Sequence, residues 1–489
     1  MSYITRVQTE VKTSPGLQPL LQFLSQDTPE ISRRQTRIKL IEHAKDSKVQ
    51  KLPLLDHPSL RDFISRINVA AGMIDGDIFG CTLIVEDIQP CHIRDLGEAL
   101  FIDPVFFAGY FGTDYRSVER HPLPLWATTL PSESATQEFC HIHYQRVVKL
   151  EHYSSPPDNV PLVTSASVPR AVKRLPPLKG VNVALARTCT SVLRKRFDSG
   201  FWICLIIVDS TTADAIQQTS TVYHTPIFVA RQTPLHGSVK PGTGFAGSST
   251  AQLSLQTYEK PPPSNFDRLT ASIIRTNTFS VEKPSMISLC SNPLRFALQE
   301  FLVYSAVMHR YVKHYEYSLK DLDLALRGDD INDLQIWRRR AFQTLQKLLA
   351  MHNFVEHWSA EEQLLETPGA NAGAWLIKDI QHLVTAIEHH SRSLEAIIPV
   401  TMAMVQLVDM RRSMDEASHV KQLTYLALVF VPLSFVTGIF SMSESVFPGS
   451  SGFWLYFAVA VPLLLLVLGA SWLIPLRAYL AKRKQKALK

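Results

Sequence analysis

The sequence predicts an α+β soluble domain followed by a long helical stalk and two C-terminal transmembrane helices. Three observations carry this. Two uncharged apolar runs, Leu423 to Phe440 and Phe453 to Ile474, close the chain. A helical spacing of apolar residues sets in at about Asn292 and continues toward the first run. Before it, short β-branched and aromatic runs alternate with proline-rich segments, the signature of strands and their connections.

The expected divisions follow in order. Residues 1–291 read as a cytosolic mixed α/β domain, with strands at Ile78 to Val85, Phe139 to Leu150, Val181 to Val192 and Phe201 to Val208. Within the last, WICLIIV has the unbroken apolar character of a strand covered on both faces. Flexible insertions are expected at about 153–177 and 233–267, where Pro, Gly, Ser and Thr cluster. Residues 292–422 read as a helical stalk region. Its first stripe is Phe296, Phe301, Leu302, Ser305, Met308, Tyr311 and Val312. A second places Trp337, Phe342, Leu345, Leu348 and Leu349 on one side. After a turn at Glu366 to Gly373, a third seam of Ile377, Ile380, Leu383, Val384, Ile387 and Leu394 runs toward the membrane. Pro399 must kink that helix or restart it. Unbroken from Ala374 to Phe440, it would extend on the order of 100 Å at about 1.5 Å per residue.

The spans are 423–440 and 453–474, joined by an outer loop at 441–452 and followed by a basic tail at 475–489. A bilayer core needs about 20 apolar residues in a helix, which the second run meets and the first approaches. Arg411, Arg412 and Lys421 precede the pair, and Arg477, Lys482, Arg483, Lys484, Lys486 and Lys489 follow it. The loop between holds no Lys or Arg and one acid, Glu444. Positive flanks stay on the cytoplasmic side, so both termini are expected there, with the plasma membrane favoured. The start, MSYITRVQTE, has no apolar core and does not read as a secretory signal.

Composition agrees. The chain has 489 residues, 19% of them charged, and a formal net charge of +6 that owes much to the tail. No basic-aromatic stripe accompanies that charge, so nucleic acid is not an expected partner. The six cysteines lack CxxC spacing and should be reduced thiols. No nucleophile elbow, phosphate loop or catalytic dyad is written in the sequence, and no enzyme activity is expected.

Smaller constellations have bland readings beside the functional ones. Cys140-His141-Ile142-His143 is a zinc signal without partners and reads better as a satisfied strand surface, and Cys91-His92 likewise. His389-His390 suits a pH sensor or a solvated helix face. Asp75-Gly76-Asp77 lacks the later ligands of a calcium loop and reads as a turn.

The string LTYLALVFVPLSFVTGIF, with the short loop, second apolar run and lysine-rich end, resembles the C-terminus of CorA-type magnesium transporters. Pro432, Ser434, Phe435 and Gly438-Ile439-Phe440 carry the match. It is strong over Leu394 to Lys489 and extends by helical layout to Asn292, and the insertions resemble the divergent fungal branch of the family. The resemblance implies a CorA-like fold and a homopentamer whose first spans surround a pore. The pore-lining positions it implies are Ala417, Val420, Leu423, Thr424, Ala427, Val431, Ser434 and Gly438. Val420, Leu423 and Val431 would form apolar constrictions, with hydroxyls at Thr424 and Ser434 between them. The mouth departs from the family's Gly-Met-Asn: here stand Ser441-Met442-Ser443, then Glu444. A serine ring offers a hydrated ion fewer hydrogen bonds than an asparagine ring. The resemblance also implies regulatory metal binding by stalk acids, with Asp409 the candidate, although strict alignment puts Gln406 at that position. No tightly bound cofactor is implied; magnesium is the transported and the regulatory ion. The expected function is a passive divalent cation channel in the lipid bilayer, driven by the electrochemical gradient. The alternative is a non-conducting CorA-like scaffold or sensor anchored in the membrane.

Overall fold

A computed structural model of the chain describes residues 2–26, 36–44, 49–70, 78–111, 129–149, 162–164, 166–176, 183–210, 216–218, 221–223, 227–228, 264–276, 284–318, 328–364, 371–441 and 454–469. The chain divides into two compact units, one of Met1–Lys320 with Asp333–Ile397, the other of Asp321–Asn332 with Ile398–Lys489.

The first unit is built on a mixed sheet. Its strands are β1 (Arg37–Ala44), β2 (Val49–Leu55), β3 (Ile78–Glu86), β4 (Phe139–Lys149), β5 (Leu162–Thr164), β6 (Ala171–Arg174), β7 (Val183–Arg196), β8 (Trp202–Val208), β9 (Ile216–Gln218), β10 (Thr221–Tyr223) and β11 (Ile227–Phe228). The order is β10-β9-β5-β6-β7-β8-β3-β1-β2, with β4 pairing β7 and β11. Among the described strands only β3 and β8 run parallel, in the register Gly80↔Trp202 to Glu86↔Val208. Every residue of β8 is buried, as its continuous apolar run predicts. Gly80 is glycine for a local reason: a Cβ there would collide with the Trp202 indole.

Helices cover the sheet. The N-terminal set is α1 (Tyr3–Val11), α2 (Gln18–Leu24), α3 (His57–Ala70), α4 (Pro90–Ala99), α5 (Pro104–Phe111) and the short α6 (Pro131–Thr136). Tyr3, Leu20, Phe23, Ile93, Leu96, Phe106 and Phe107 from these helices share one core with Ile203, Leu205 and Ile207 of β8. The strand's period of two sends Trp202, Cys204, Ile206 and Val208 to the opposite face. Then follow α7 (Asn265–Thr276), α8 (Met286–Ser318), α9 (Gly328–Leu364) and α10 (Asn371–Phe440). Helix α8 packs against β4 and β7, and its Cys290 lies beside Cys140 and Cys204.

Several expectations need correction. The stalk does not start at Asn292: α8 begins at Met286 and passes through Pro293, so the expected boundary falls inside one helix. The compact unit also keeps α8, α9 and the start of α10, to Ile397, with the sheet. In the expected insertion at 153–177, β5 and β6 form, and Leu162, Val168, Arg170 and Val172 are buried. The reason is pairing: β6 hydrogen-bonds to β7, and Arg170 is neutralised by Asp209. In the second insertion, residues 233–263 lie outside the described residues, and α7 starts at Asn265. On α9, Leu334, Trp337, Ala341, Leu348, Val355 and Trp358 form the buried seam, while Phe342 and Leu349 are exposed. Five residues separate Trp337 from Phe342, about 140° around a helix, so the two cannot share a face. Leu302 is exposed on α8 for the same kind of reason. Asp75-Gly76-Asp77 lies outside the described residues.

In the second unit, α10 continues from Ile398 to Phe440 with Pro399 and Pro432 inside it. It contains a stretch long and apolar enough to cross a membrane. A shorter apolar helix, α11 (Trp454–Gly469), lies within the expected second span, whose last residues, 470–474, fall outside the described set. Past Thr401, Val436 and Ala460 are the buried residues among those described. Between α10 and α11 the Thr437 Oγ1 and Tyr456 Oη are 3.1 Å apart, and Phe440 meets Tyr456 edge to face at 6.1 Å.

Candidate pore-lining face

An α-helix turns about 100° per residue. Ala417, Val420, Leu423, Thr424, Ala427, Val431, Ser434 and Gly438, with Ser441 beyond, therefore fall within an arc of about 120°. All of them are exposed. Val420, Leu423 and Val431 expose 63%, 68% and 66% of their surface. Thr437 and Phe440, which meet α11, and the buried Val436 cluster on the opposite side of the helix. The second apolar helix thus covers the back of α10 and leaves the front bare.

Two hydroxyls interrupt the apolar front. Thr424 Oγ1 donates to the Val420 carbonyl at 2.8 Å, and Ser434 Oγ to the Phe430 carbonyl at 2.7 Å. Each proton is committed to its own helix, which leaves oxygen lone pairs as acceptors. A hydrated cation turns its water hydrogens outward, so acceptors are the polarity it needs. The Ser441 amide donates to the Thr437 carbonyl at 2.8 Å and caps the helix. Met442, Ser443 and Glu444 of the expected mouth lie outside the described residues.

Asp409 and Gln406 are both exposed on α10, with Asp415 and Glu416 farther on. The histidine pair on the stalk splits. His389 is exposed, whereas His390 is buried, and burial, reinforced by His309 and His389, lowers its pKa to about 4. The reading of both as a solvated face is corrected for His390, whose position continues the Leu383–Ile387 seam. On β4, His141 and His143 are half-buried. Burial lowers His141 to about 3 and His143 well below its ordinary value. His141 Nδ1 bonds the Ser191 hydroxyl at 2.8 Å and its ring stacks on Phe106, while Nε2 has no partner among the described residues. Cys91 and His92 sit on a helix, α4, not on a strand.

Residues 307–482 match the family model described as "CorA-like Mg2+ transporter protein". No curated protein matches the chain. Among solved structures, the CorA magnesium transporter from Methanocaldococcus jannaschii is 12% identical, over 89% of this chain and 96% of that one, with a TM-score of 0.33. The full-length CmaX protein is also 12% identical, over 90% and 97%, with a TM-score of 0.35. The likeness to the family rests on residues 307–482, which take in α10, the bare face and α11. Over that segment the chain is similar to the CorA-like Mg2+ transporter family.

Proposed function

We propose that this chain is a passive divalent cation channel, with magnesium as its ion, formed by a homopentamer around the bare face of α10. One observation carries the reading: an apolar, hydroxyl-punctuated face is left uncovered on a membrane-length helix whose other side is already occupied by α11. Five such faces around an axis would place Val420, Leu423 and Val431 as rings able to close the path by dewetting. Thr424 and Ser434 would accept hydrogen bonds from the ion's water shell between those rings. The membrane potential supplies about 2.3 kcal/mol per charge per 100 mV. Both termini would lie in the cytoplasm and 441–452 outside, with Asp409 a regulatory metal contact.

The rival, a non-conducting membrane-anchored scaffold, is favoured by Ser441-Met442-Ser443 standing where the family has Gly-Met-Asn. Liposome flux decides between them. Purified protein in vesicles loaded with a magnesium-sensitive dye should admit the ion, and the double variant Ser441→Gly with Ser443→Asn should do so faster. Each restored amide adds a bond of about 0.5–1.5 kcal/mol, and about 1.4 kcal/mol is a tenfold effect. Silence from both proteins, once shown folded and oligomeric, gives the scaffold reading.

A further inference from the structure

Away from the membrane helices, two helices of the α+β unit begin at one place. His57 is the first residue of α3, and Cys91 and His92 lie in the first turn of α4. One donor atom from each of the three side chains lies within 4.8 Å of the other two. Cys91 Sγ is 3.6 Å from His92 Nδ1. Around one tetrahedral zinc ion, with arms of about 2.3 Å to sulfur and 2.0–2.1 Å to nitrogen, such atoms stand about 3.5 Å apart. The two imidazoles meet edge to face with centroids 5.0 Å apart, so modest ring rotation brings the second nitrogen to the same point.

The surroundings match what ligating histidines need. His57 Nε2 is 2.7 Å from Asp95 Oδ2. A hydrogen bond there fixes the tautomer, with the proton on Nε2 and the Nδ1 lone pair turned to a ligand's role. Asp95 is itself clamped by Arg61, whose Nε and Nη2 donate at 2.8 and 3.2 Å. His92 makes no hydrogen bond among the described residues apart from its long contact with Cys91. It is 4% exposed, and Cys91 is half-buried, so water reaches the site from one side.

We propose that His57, Cys91 and His92 form a zinc-class metal site in the soluble unit, with Asp95 as the positioning residue and water as the fourth ligand. On binding, the Cys91 thiol releases its proton to solvent and the thiolate joins two neutral imidazoles. Sulfur and imidazole donors suit zinc and reject magnesium, which prefers six oxygens. The site is therefore chemically separate from the pore, and a transition metal at it would tie the start of α3 to that of α4.

Full-length protein in detergent, stripped with chelator, should be titrated with Co2+ as a spectroscopic stand-in. A thiolate-to-cobalt charge-transfer band should saturate at one ion per chain, vanish on adding Zn2+ and persist in excess Mg2+. The other five cysteines are buried, so Cys91→Ser should abolish the band, and Asp95→Asn should weaken binding about 10–100-fold. X-ray absorption on the zinc-loaded, unsubstituted protein gives the same answer without a variant: one sulfur and two imidazoles about the metal. A shell of oxygen and nitrogen alone, no charge-transfer band, or a band that survives in folded Cys91→Ser would overturn the proposal.

Discussion

The α+β unit hides even its charges, whereas the membrane unit leaves even its apolar side chains uncovered. Arg170 is buried, yet its guanidinium holds both oxygens of Asp209 at 2.9 Å and reaches the carbonyls of Tyr110 and Phe111. Tyr110 Oη and the Cys189 amide bond the same carboxylate at 2.5 and 2.7 Å. Past Thr401, by contrast, Met410, Met414, Leu423, Leu426, Phe430, Val431 and Phe435 are all exposed. An apolar patch of that extent marks a surface meant for lipid or for another chain. One unit reaches its minimum with its own side chains as partners. The other leaves an apolar surface for partners outside its own fold.

Removing Arg170 should break that contrast most severely. Arg170→Ala strands Asp209 in a dry site, and losing one partner of a buried pair costs about 3–5 kcal/mol. Chemical denaturation in detergent, followed by the sheet's circular dichroism, should show an early transition. Val431→Ala, on the bare face, should leave the same midpoint unmoved. Equal midpoints for Arg170→Ala and the unsubstituted protein would mean that the buried network is not what holds β5 and β6 to the unit.

A smaller effect comes from protons. His43 on β1 is 3% exposed, stacks on Trp202 at 5.1 Å and bonds the Thr82 hydroxyl at 3.0 Å. Burial lowers its pKa from 6.5 to about 4. The folded state therefore binds fewer protons than the unfolded one in this window. The stability this group contributes is complete above pH 6.5 and is lost as pH falls toward 4, up to about 3 kcal/mol. His43→Gln should flatten the fall by about 1.4 kcal/mol per pH unit between those limits. Parallel profiles for the two proteins would show that His43 is solvated and protonates freely in the folded state.

The comparison also explains what could be read without coordinates. WICLIIV, a strand buried on both faces, and the run along α10, apolar over a membrane's thickness, were legible because each writes a continuous uncharged apolar string. The bare face was legible only through family resemblance, since any packed helix carries the same period. Arg170 was hidden: its partner Asp209 is distant in sequence, and a proline-rich neighbourhood suggested a loose insertion. His57 was missed for a similar reason. Only the meeting of α3 and α4 brings it to Cys91-His92, and no spacing in the chain announces that. Phe342 is apolar, but a helix turns it about 140° away from Trp337, so it stays off the buried seam.

The smallest expected effect tests the one polar contact described between α10 and α11. Thr437 Oγ1 already donates to the Leu433 carbonyl at 2.7 Å, so in the 3.1 Å contact Tyr456 must be the donor. Interhelical hydrogen bonds in membranes average about 0.6 kcal/mol, because the separated helices find other partners. Tyr456→Phe keeps the edge-to-face contact with Phe440 and removes only the proton donor. It should destabilise the helix pair by about that 0.6 kcal/mol. A double-mutant cycle with Thr437→Val, read by unfolding in mixed micelles, isolates the pair. A coupling near zero would mean that Tyr456 turns its hydroxyl to the membrane surface, and that apolar packing such as the Phe440–Tyr456 contact holds the pair. A coupling severalfold larger would mean that the site is drier than a bilayer edge, as in a closed ring of subunits where α10 is shielded on both faces.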